Sequence, residues 1–80
     1  MTPQEQFGAN VRTQRESLNI SQDELAARAK LHRTYVGSVE RGERNISLLN
    51  ILRLAEALEC RPSDLFRGID LGEHERAGPR

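Results

Sequence analysis

The chain has 80 residues, as many acidic as basic side chains, and no tryptophan. So short a chain forms one domain and buries too little surface to enclose a deep pocket, so we expect neither an enzyme nor a cofactor or small-molecule ligand. No apolar stretch reaches the roughly 18 residues that a membrane span needs. The N-terminus has none of the basic and apolar regions of a signal peptide, so a cytoplasmic protein is expected.

Positive charge is concentrated in one central segment. Residues 28–45 carry five basic and two acidic side chains, a local charge of +3, whereas the segments before and after carry −2 and −1. Such a cluster is typical of an anionic partner such as nucleic acid, although ordinary surface variation also produces it.

The first predicted element is a helix that begins at the N-terminus. Thr2 and Glu5 have capping-box spacing around Pro3, a residue that favours the first helical position. Phe7 and Val11 follow at a spacing of four, which places them on one inward face. The pattern ends near Leu18 and Asn19.

Two short helices are predicted next. Ser21 and Glu24 form a second capping-box pattern, and the inward face of the helix that follows is Leu25, Ala26 and Ala29. A turn over residues 30–32 leads to a third helix that starts at residue 33, buries Val36 and Val39, and stops at Gly42. Two short helices joined by a three-residue turn, with small Ala26 where they approach, are typical of a helix-turn-helix over residues 21–42.

The last predicted elements follow a polar loop. Ser47 caps a fourth helix over residues 48–59, whose inward stripe is Leu48, Ile51, Leu54, Ala55 and Leu58. Pro62 begins a short fifth helix over residues 62–66. The sequence thus predicts an all-α, compact five-helix domain over residues 1–70, followed by a mobile tail over residues 71–80.

The residues of this pattern resemble those of the lambda-repressor-like (Xre-type) helix-turn-helix family. The resemblance rests on SQDELA at residues 21–26, YVGSVERG at 35–42, ILRLAEAL at 51–58 and PSDLF at 62–66. Within the family, residues 33–35, 40–42 and 44–45 are similar to those of the controller proteins of restriction–modification systems. The family usually has Gly where this chain has Lys30, and a left-handed conformation would cost a lysine about 1 kcal/mol.

The resemblance implies a role for each part of the site. The third helix would enter the major groove of duplex DNA, with base contacts from Arg33, Thr34 and Ser38. Phosphate contacts would come from Gln22, Tyr35, Arg41, Arg44 and Asn45. Arg15 and Glu40 would form a structural ion pair. For Arg33 a phosphate contact or a solvated charge is the alternative. For Arg44 and Asn45 it is ordinary solvation, and for Tyr35 it is half-buried packing.

Apolar residues in excess of one core indicate a homodimer. Leu49 and Leu52 lie outside the inward stripe of the fourth helix, and with Leu65, Phe66 and Ile69 they would form a two-fold interface. Packing within one chain is the alternative. A dimer would place two recognition helices about 34 Å apart on a pseudo-palindromic operator.

Three residues of types that often carry chemistry lack a partner in the sequence pattern. His32 and His74 do not have metal-ligand spacing, and Cys60 is the only cysteine. We therefore expect no metal site, and Cys60 to be a small packing residue.

The function that these observations favour is a sequence-specific DNA-binding transcription regulator, the controller of a restriction–modification system. It would act upstream of its own gene, the endonuclease gene or both. A phage-type repressor and a DNA-binding antitoxin are alternatives with the same fold. A protein-interaction module without DNA binding is an alternative of another class.

Overall fold

The computed structural model describes residues 1–72, and these form four α-helices and one 3-10 helix. The α-helices are α1 (Pro3–Ser17), α2 (Gln22–Ala29), α3 (Arg33–Glu40) and α4 (Leu48–Ala57). The all-α expectation is confirmed for this part of the chain. The expectation of five α-helices is wrong, because the fifth element, Pro62–Phe66, is a 3-10 helix. The predicted tail falls largely on residues 73–80, which lie outside the described part.

The 3-10 helix has a local cause. Its five residues begin with Pro62, and Arg67 then returns to an extended conformation before Gly68 adopts a φ of 75°. A segment this short has room for only one turn, and single turns often adopt the tighter 3-10 geometry. The carboxylate of Asp64 accepts a hydrogen bond from the backbone N–H of Arg61, 2.9 Å away, which holds the start of the turn.

The predicted helix caps are present at three of the four α-helices. Thr2 and Glu5 form a reciprocal capping box at α1, and the hydroxyl groups of Ser21 and Ser47 each accept a hydrogen bond from the third backbone N–H that follows. At α3 the cap position is His32, whose side chain makes no capping hydrogen bond. The first turn of α3 is therefore held by its neighbours rather than by a cap.

The turn between α2 and α3 is built on a lysine in a left-handed conformation. Lys30 has φ 58° and ψ 43°, and its N–H and that of Leu31 bond back to the last carbonyls of α2. Leu31 then packs against the core and closes the corner between the two helices. This geometry reverses the chain in three residues, so α3 crosses the start of α2.

The core lies where α1 packs on α3 and α2 packs on α3 and α4. Its members are buried apolar side chains from every element: Phe7, Val11, Leu25, Ala26, Ala29, Val36, Val39, Ile51, Leu54, Ala55, Ala57, Leu58 and Leu65. Cys60 packs at the edge of this core, as expected, and partial burial raises the pKa of its thiol.

A glycine sets the distance between α1 and α3. A Cβ on Gly8 would lie 2.3 Å from the carbonyl oxygen of Val39 and 2.6 Å from that of Glu40. Only glycine lets the two backbones approach this closely. Nothing in the local sequence around Gly8 indicates this contact, because Val39 and Glu40 lie in another helix.

The first turn of α4 differs from the prediction. Leu48 was expected on the inward stripe but is 72% exposed, whereas Ile51, Leu54, Ala55 and Leu58 are buried as predicted. Because α4 packs on α2 and on the 3-10 helix, its first turn extends beyond the core. None of the helices in residues 1–72 has the length and apolar character needed to cross a bilayer.

Candidate nucleic-acid interface

The outward face of α3 lies opposite its two buried valines. At about 100° per residue, Val36 and Val39 define the inner side, and Thr34 and Arg41 lie across the helix from them. Arg33, Thr34, Gly37 and Arg41 line a shallow depression together with residues from the start of α2. The depression is open to solvent, so the side chains in it are available to a large partner.

The start of α2 forms one wall of this depression. Gln22 and Asp23 are its first two residues, and the helix geometry leaves their backbone N–H groups without a partner inside α2. These N–H groups and the positive end of the helix dipole favour an anion at this wall.

Glu40 connects the three helices around the interface. Its carboxylate accepts two hydrogen bonds from Arg15, at 2.6 Å from Nε and 3.0 Å from Nη2, and a third from Gln22 Nε2 at 3.0 Å. Arg15 also donates through Nη1 to the carbonyl oxygen of Ile20. The structure therefore brings Arg15 and Glu40 together, and the hydrogen bonds that Arg15 donates to Glu40 raise the pKa of Arg15.

Gln22 is fixed by the same carboxylate. With its amide nitrogen on Glu40, its Oε1 lies beside Gly37, 3.5 Å from where a Cβ would be. Arg41 covers the other side of Gly37, with Nη1 3.2 Å from that position. Gly37 is buried under these two side chains, which lie close against the backbone of α3.

Arg33 and Thr34 are exposed at the N-terminal end of α3, at the mouth of the depression. Arg33 Nε lies 3.4 Å from Asp23 Oδ1, and both side chains are mostly solvent-accessible. An exposed pair of this kind contributes little to stability and is easily exchanged for another partner. Arg33 is therefore free to turn toward a ligand.

Ser38 does not lie where a base-reading residue must. It is 5% exposed; its hydroxyl donates to the carbonyl oxygen of Tyr35 at 2.8 Å and accepts from Arg44 Nε at 3.0 Å. The loop after α3 folds back over this side of the helix, and Arg44 covers the serine. The expectation of a base contact from Ser38 is corrected for this reason.

Tyr35 and Arg44 form one unit on that side of α3. The guanidinium carbon of Arg44 lies 5.3 Å from the centre of the Tyr35 ring, a cation–π distance. The Tyr35 hydroxyl accepts a hydrogen bond from Asn50 Nδ2 of α4 at 3.1 Å. Tyr35 is thus half-buried between the loop that carries Arg44 and the start of α4.

The remaining expected phosphate contacts lie after α3. Arg41 pairs with Glu43 through two hydrogen bonds of 3.1 and 3.2 Å, which raise the pKa of Arg41 and lower that of Glu43. Asn45 is exposed at the edge of an apolar depression lined by Pro3, Phe7 and Phe66. Arg41 faces the depression between α3 and the start of α2. Asn45 follows Arg44 in the loop.

A separate apolar surface is exposed on α4 and after it. It comprises Leu48, Leu49, Leu52, Phe66, Ile69 and Leu71, of which Ile69 is half-buried. Leu48 and Leu71 were not among the expected interface residues. Leu65 was, but it has no exposed surface, because the 3-10 helix directs it into the core. We correct Leu65 to a core residue.

Comparison with known proteins agrees with this geometry. The profile of a helix-turn-helix family matches residues 11–65. The chain therefore belongs to that family, and its fold with the helix-turn-helix defines a DNA-binding transcription regulator.

Within this class the chain is similar to controllers of restriction–modification systems. It is 45% identical over 71 residues to the control protein C.BamHI of Bacillus amyloliquefaciens, covering 88% of each chain. The crystal structure of the restriction-modification controller protein C.AhdI from Aeromonas hydrophila superposes with a TM-score of 0.76 at 50% identity, covering 78% of this chain and 94% of that one.

A repressor in complex with DNA has the same fold. The P22 c2 repressor, crystallised with a synthetic operator, superposes with a TM-score of 0.71 at 31% identity, covering 78% of this chain and 94% of that one. The resemblance to the lambda-repressor-like family is confirmed by these matches.

Proposed function

We propose that the protein is the controller of a restriction–modification system and regulates transcription as a homodimer on a pseudo-palindromic operator. The operator would lie upstream of its own gene, the endonuclease gene or both, in cytoplasmic DNA. The observation that carries the proposal is the exposure of Arg33 and Thr34 at the N-terminal end of α3, beside the open N–H groups of α2.

Base contacts are assigned to these two side chains. The Arg33 guanidinium can donate to O6 and N7 of one guanine, and Thr34 can contact a thymine methyl group or donate a hydrogen bond. The nearby Asp23 carboxylate holds Arg33 only through an exposed contact, which DNA would replace. Sequence preference would therefore depend most strongly on Arg33.

Phosphate contacts are assigned to both sides of α3. On one side lies the start of α2 with Gln22, and Arg41 lies next to it across Gly37. On the other side Arg44 lies over the ring of Tyr35, with Asn45 following in the loop. Contacts on both sides would hold α3 in the groove at one depth and angle.

The exposed apolar surface of α4 supports the homodimer. Three leucines, Leu48, Leu49 and Leu52, are exposed on consecutive turns of one short helix, and Phe66 is exposed after it. A chain of this size that leaves these groups in water would favour association through them. A second copy would also supply the second recognition helix.

The proposed function is tested by binding to the duplex upstream of the gene. Wild-type protein should shift this DNA at concentrations that leave an unrelated duplex free. Arg33→Ala should lose about 1–3 kcal/mol of discrimination between the two. Arg33→Lys keeps the charge but not the paired donors, so it should retain non-specific binding and lose preference.

Arg53→Ala is the matched control. Arg53 is exposed on α4 and lines a different depression with Arg28 and Glu56, so its loss removes the same charge away from α3. Its sequence preference should equal that of wild type. Undiminished preference in Arg33→Ala, or no salt-dependent binding by the wild type, would contradict the proposal.

A further inference from the structure

Arg44 is held in place although it lies in an exposed loop. Its Nε donates to the buried hydroxyl of Ser38 at 3.0 Å, and its guanidinium lies over the Tyr35 ring at 5.3 Å. Tyr35 is itself fixed by the hydrogen bond from Asn50 Nδ2 of α4. Two residues of α3 and one of α4 thus determine where one basic side chain lies.

We propose that Ser38 and Tyr35, supported by Asn50, are positioning residues that hold Arg44 ready to bind a backbone phosphate of DNA. The proposal rests on the function proposed above and adds a role that the sequence pattern did not show. It also explains why a polar side chain as buried as Ser38 occurs on the DNA-facing half of α3.

The pattern of hydrogen bonds suits this role. A guanidinium has five N–H donors, and Ser38 engages only the one on Nε. The four donors on the two terminal nitrogens can still meet phosphate oxygens in a bidentate contact. Ser38 therefore orients Arg44 without competing for the donors that phosphate needs.

The ring of Tyr35 limits the rotation of the Arg44 guanidinium that Ser38 leaves free. The Arg44 guanidinium lies over the ring, 5.3 Å from its centre, and the cation–π attraction restricts how far it can turn away. The hydrogen bond from Asn50 fixes the ring, so its orientation depends on the first turns of α4. A preordered arginine loses less side-chain entropy when it binds, which increases affinity without any new contact to DNA.

The test is a double-mutant cycle on DNA affinity at several salt concentrations. Ser38→Ala should weaken binding about three- to tenfold, the cost of ordering one long side chain. The slope of log K against log salt should not change, because the charge remains. Arg44→Ala should weaken binding and make that slope shallower by about 0.9 for each protomer on the operator, or about 1.8 for the proposed homodimer. The double variant should equal Arg44→Ala.

Ser17→Ala is the matched control. The Ser17 hydroxyl also donates to the carbonyl oxygen three residues earlier, at 2.7 Å, but on the exposed end of α1. Its DNA affinity should equal that of wild type. If Ser38→Ala also equals wild type while Arg44→Ala is weakened, the positioning role is overturned and the proposed function stands. A wild type that binds no duplex would overturn both.

A measurement on the free wild-type protein needs no variant. The Nε–H of Arg44 should exchange with water more slowly than that of Arg53 in nuclear magnetic resonance spectra, because it is hydrogen-bonded to Ser38. Equal exchange of the two groups would overturn the positioning role even if Ser38→Ala did not fold.

Discussion

Glu40 accepts hydrogen bonds from two helices other than its own. Arg15 reaches it from α1 and Gln22 from α2, and the carboxylate side chain is only 3% exposed. The Arg15 guanidinium is also paired with the carbonyl oxygen of Ile20. The hydrogen bonds to Glu40 raise the pKa of Arg15, and a guanidinium is protonated in proteins even at its ordinary pKa, so Arg15 is charged.

Loss of Glu40 leaves that charge without its partner. A complete buried ion pair is often near-neutral for stability, but removal of one member costs about 3–5 kcal/mol, so Glu40→Ala should lose free energy of unfolding of that order. Chemical denaturation monitored by circular dichroism measures the loss. The matched control is Glu43→Ala, whose carboxylate makes a similar two-bond contact with Arg41 in solvent.

We expect Glu43→Ala to unfold at the wild-type denaturant concentration, because solvent-exposed pairs contribute little. Equal midpoints for the two variants would show that the Arg15–Glu40 contact does not stabilise the fold.

Single residues were predictable where the local pattern decides their environment. Val36, Val39 and Leu25 are buried as their spacing requires, and Arg33 and Thr34 are exposed. Ser38 was not predictable, since its burial depends on Arg44 returning over α3 six residues later. The requirement for glycine at position 8 was not predictable either, because it arises from the carbonyl groups of Val39 and Glu40 in another helix.

At the scale of elements, the turn between α2 and α3 contains a strained residue at the centre of the helix-turn-helix. Lys30 adopts a left-handed conformation, where a side chain costs roughly 1–2 kcal/mol and glycine costs almost nothing. No side-chain cap from His32 compensates at the start of α3. The turn is therefore stabilised by packing of Leu31 and by its backbone hydrogen bonds.

Lys30→Gly should stabilise the protein by about 1 kcal/mol, because the strain disappears and the exposed lysine makes no core contact. Ala27→Gly is the control of opposite sign. Ala27 is exposed on α2 in ordinary helical conformation, and glycine there should destabilise by about 1 kcal/mol. Thermal unfolding measures both, and a lower melting temperature for Lys30→Gly would contradict the account of the turn.

The ends of the helices were predicted more accurately from capping and terminating residues than from the spacing of apolar residues. Thr2, Ser21 and Ser47 each begin a helix as predicted, and Gly42 ends α3 with a φ of 78°. The spacing that placed Leu48 on the inward stripe was correct for the helix face. It could not show that the neighbouring elements end before the first turn of α4.

At the scale of the whole molecule, the chain has no net charge, so its general attraction to DNA should be modest. The local charge of +3 over residues 28–45 would allow only a few phosphate contacts. The proposed homodimer would gain affinity by using two copies of the same small interface. Dimer formation and operator binding are therefore expected to depend on each other.

Leu52→Glu tests this dependence. Leu52 is 45% exposed, so a glutamate there leaves the folded monomer intact but would place an unpaired carboxylate in the proposed dimer interface. Wild-type protein should sediment as a dimer at micromolar concentration, and Leu52→Glu as a monomer with unchanged circular dichroism. Binding to the full operator should weaken, whereas the two proteins should bind a single half-site duplex at similar protomer concentrations.

Thr13→Glu adds the same charge on the exposed side of α1 and should remain a dimer. A wild type that sediments as a monomer, or a Leu52→Glu protein that stays dimeric, would show that the apolar surface of α4 has another partner. Binding to the half-site duplex distinguishes loss of the dimer from a direct loss of DNA contacts in Leu52→Glu. A direct loss of DNA contacts would weaken half-site and full-site binding alike.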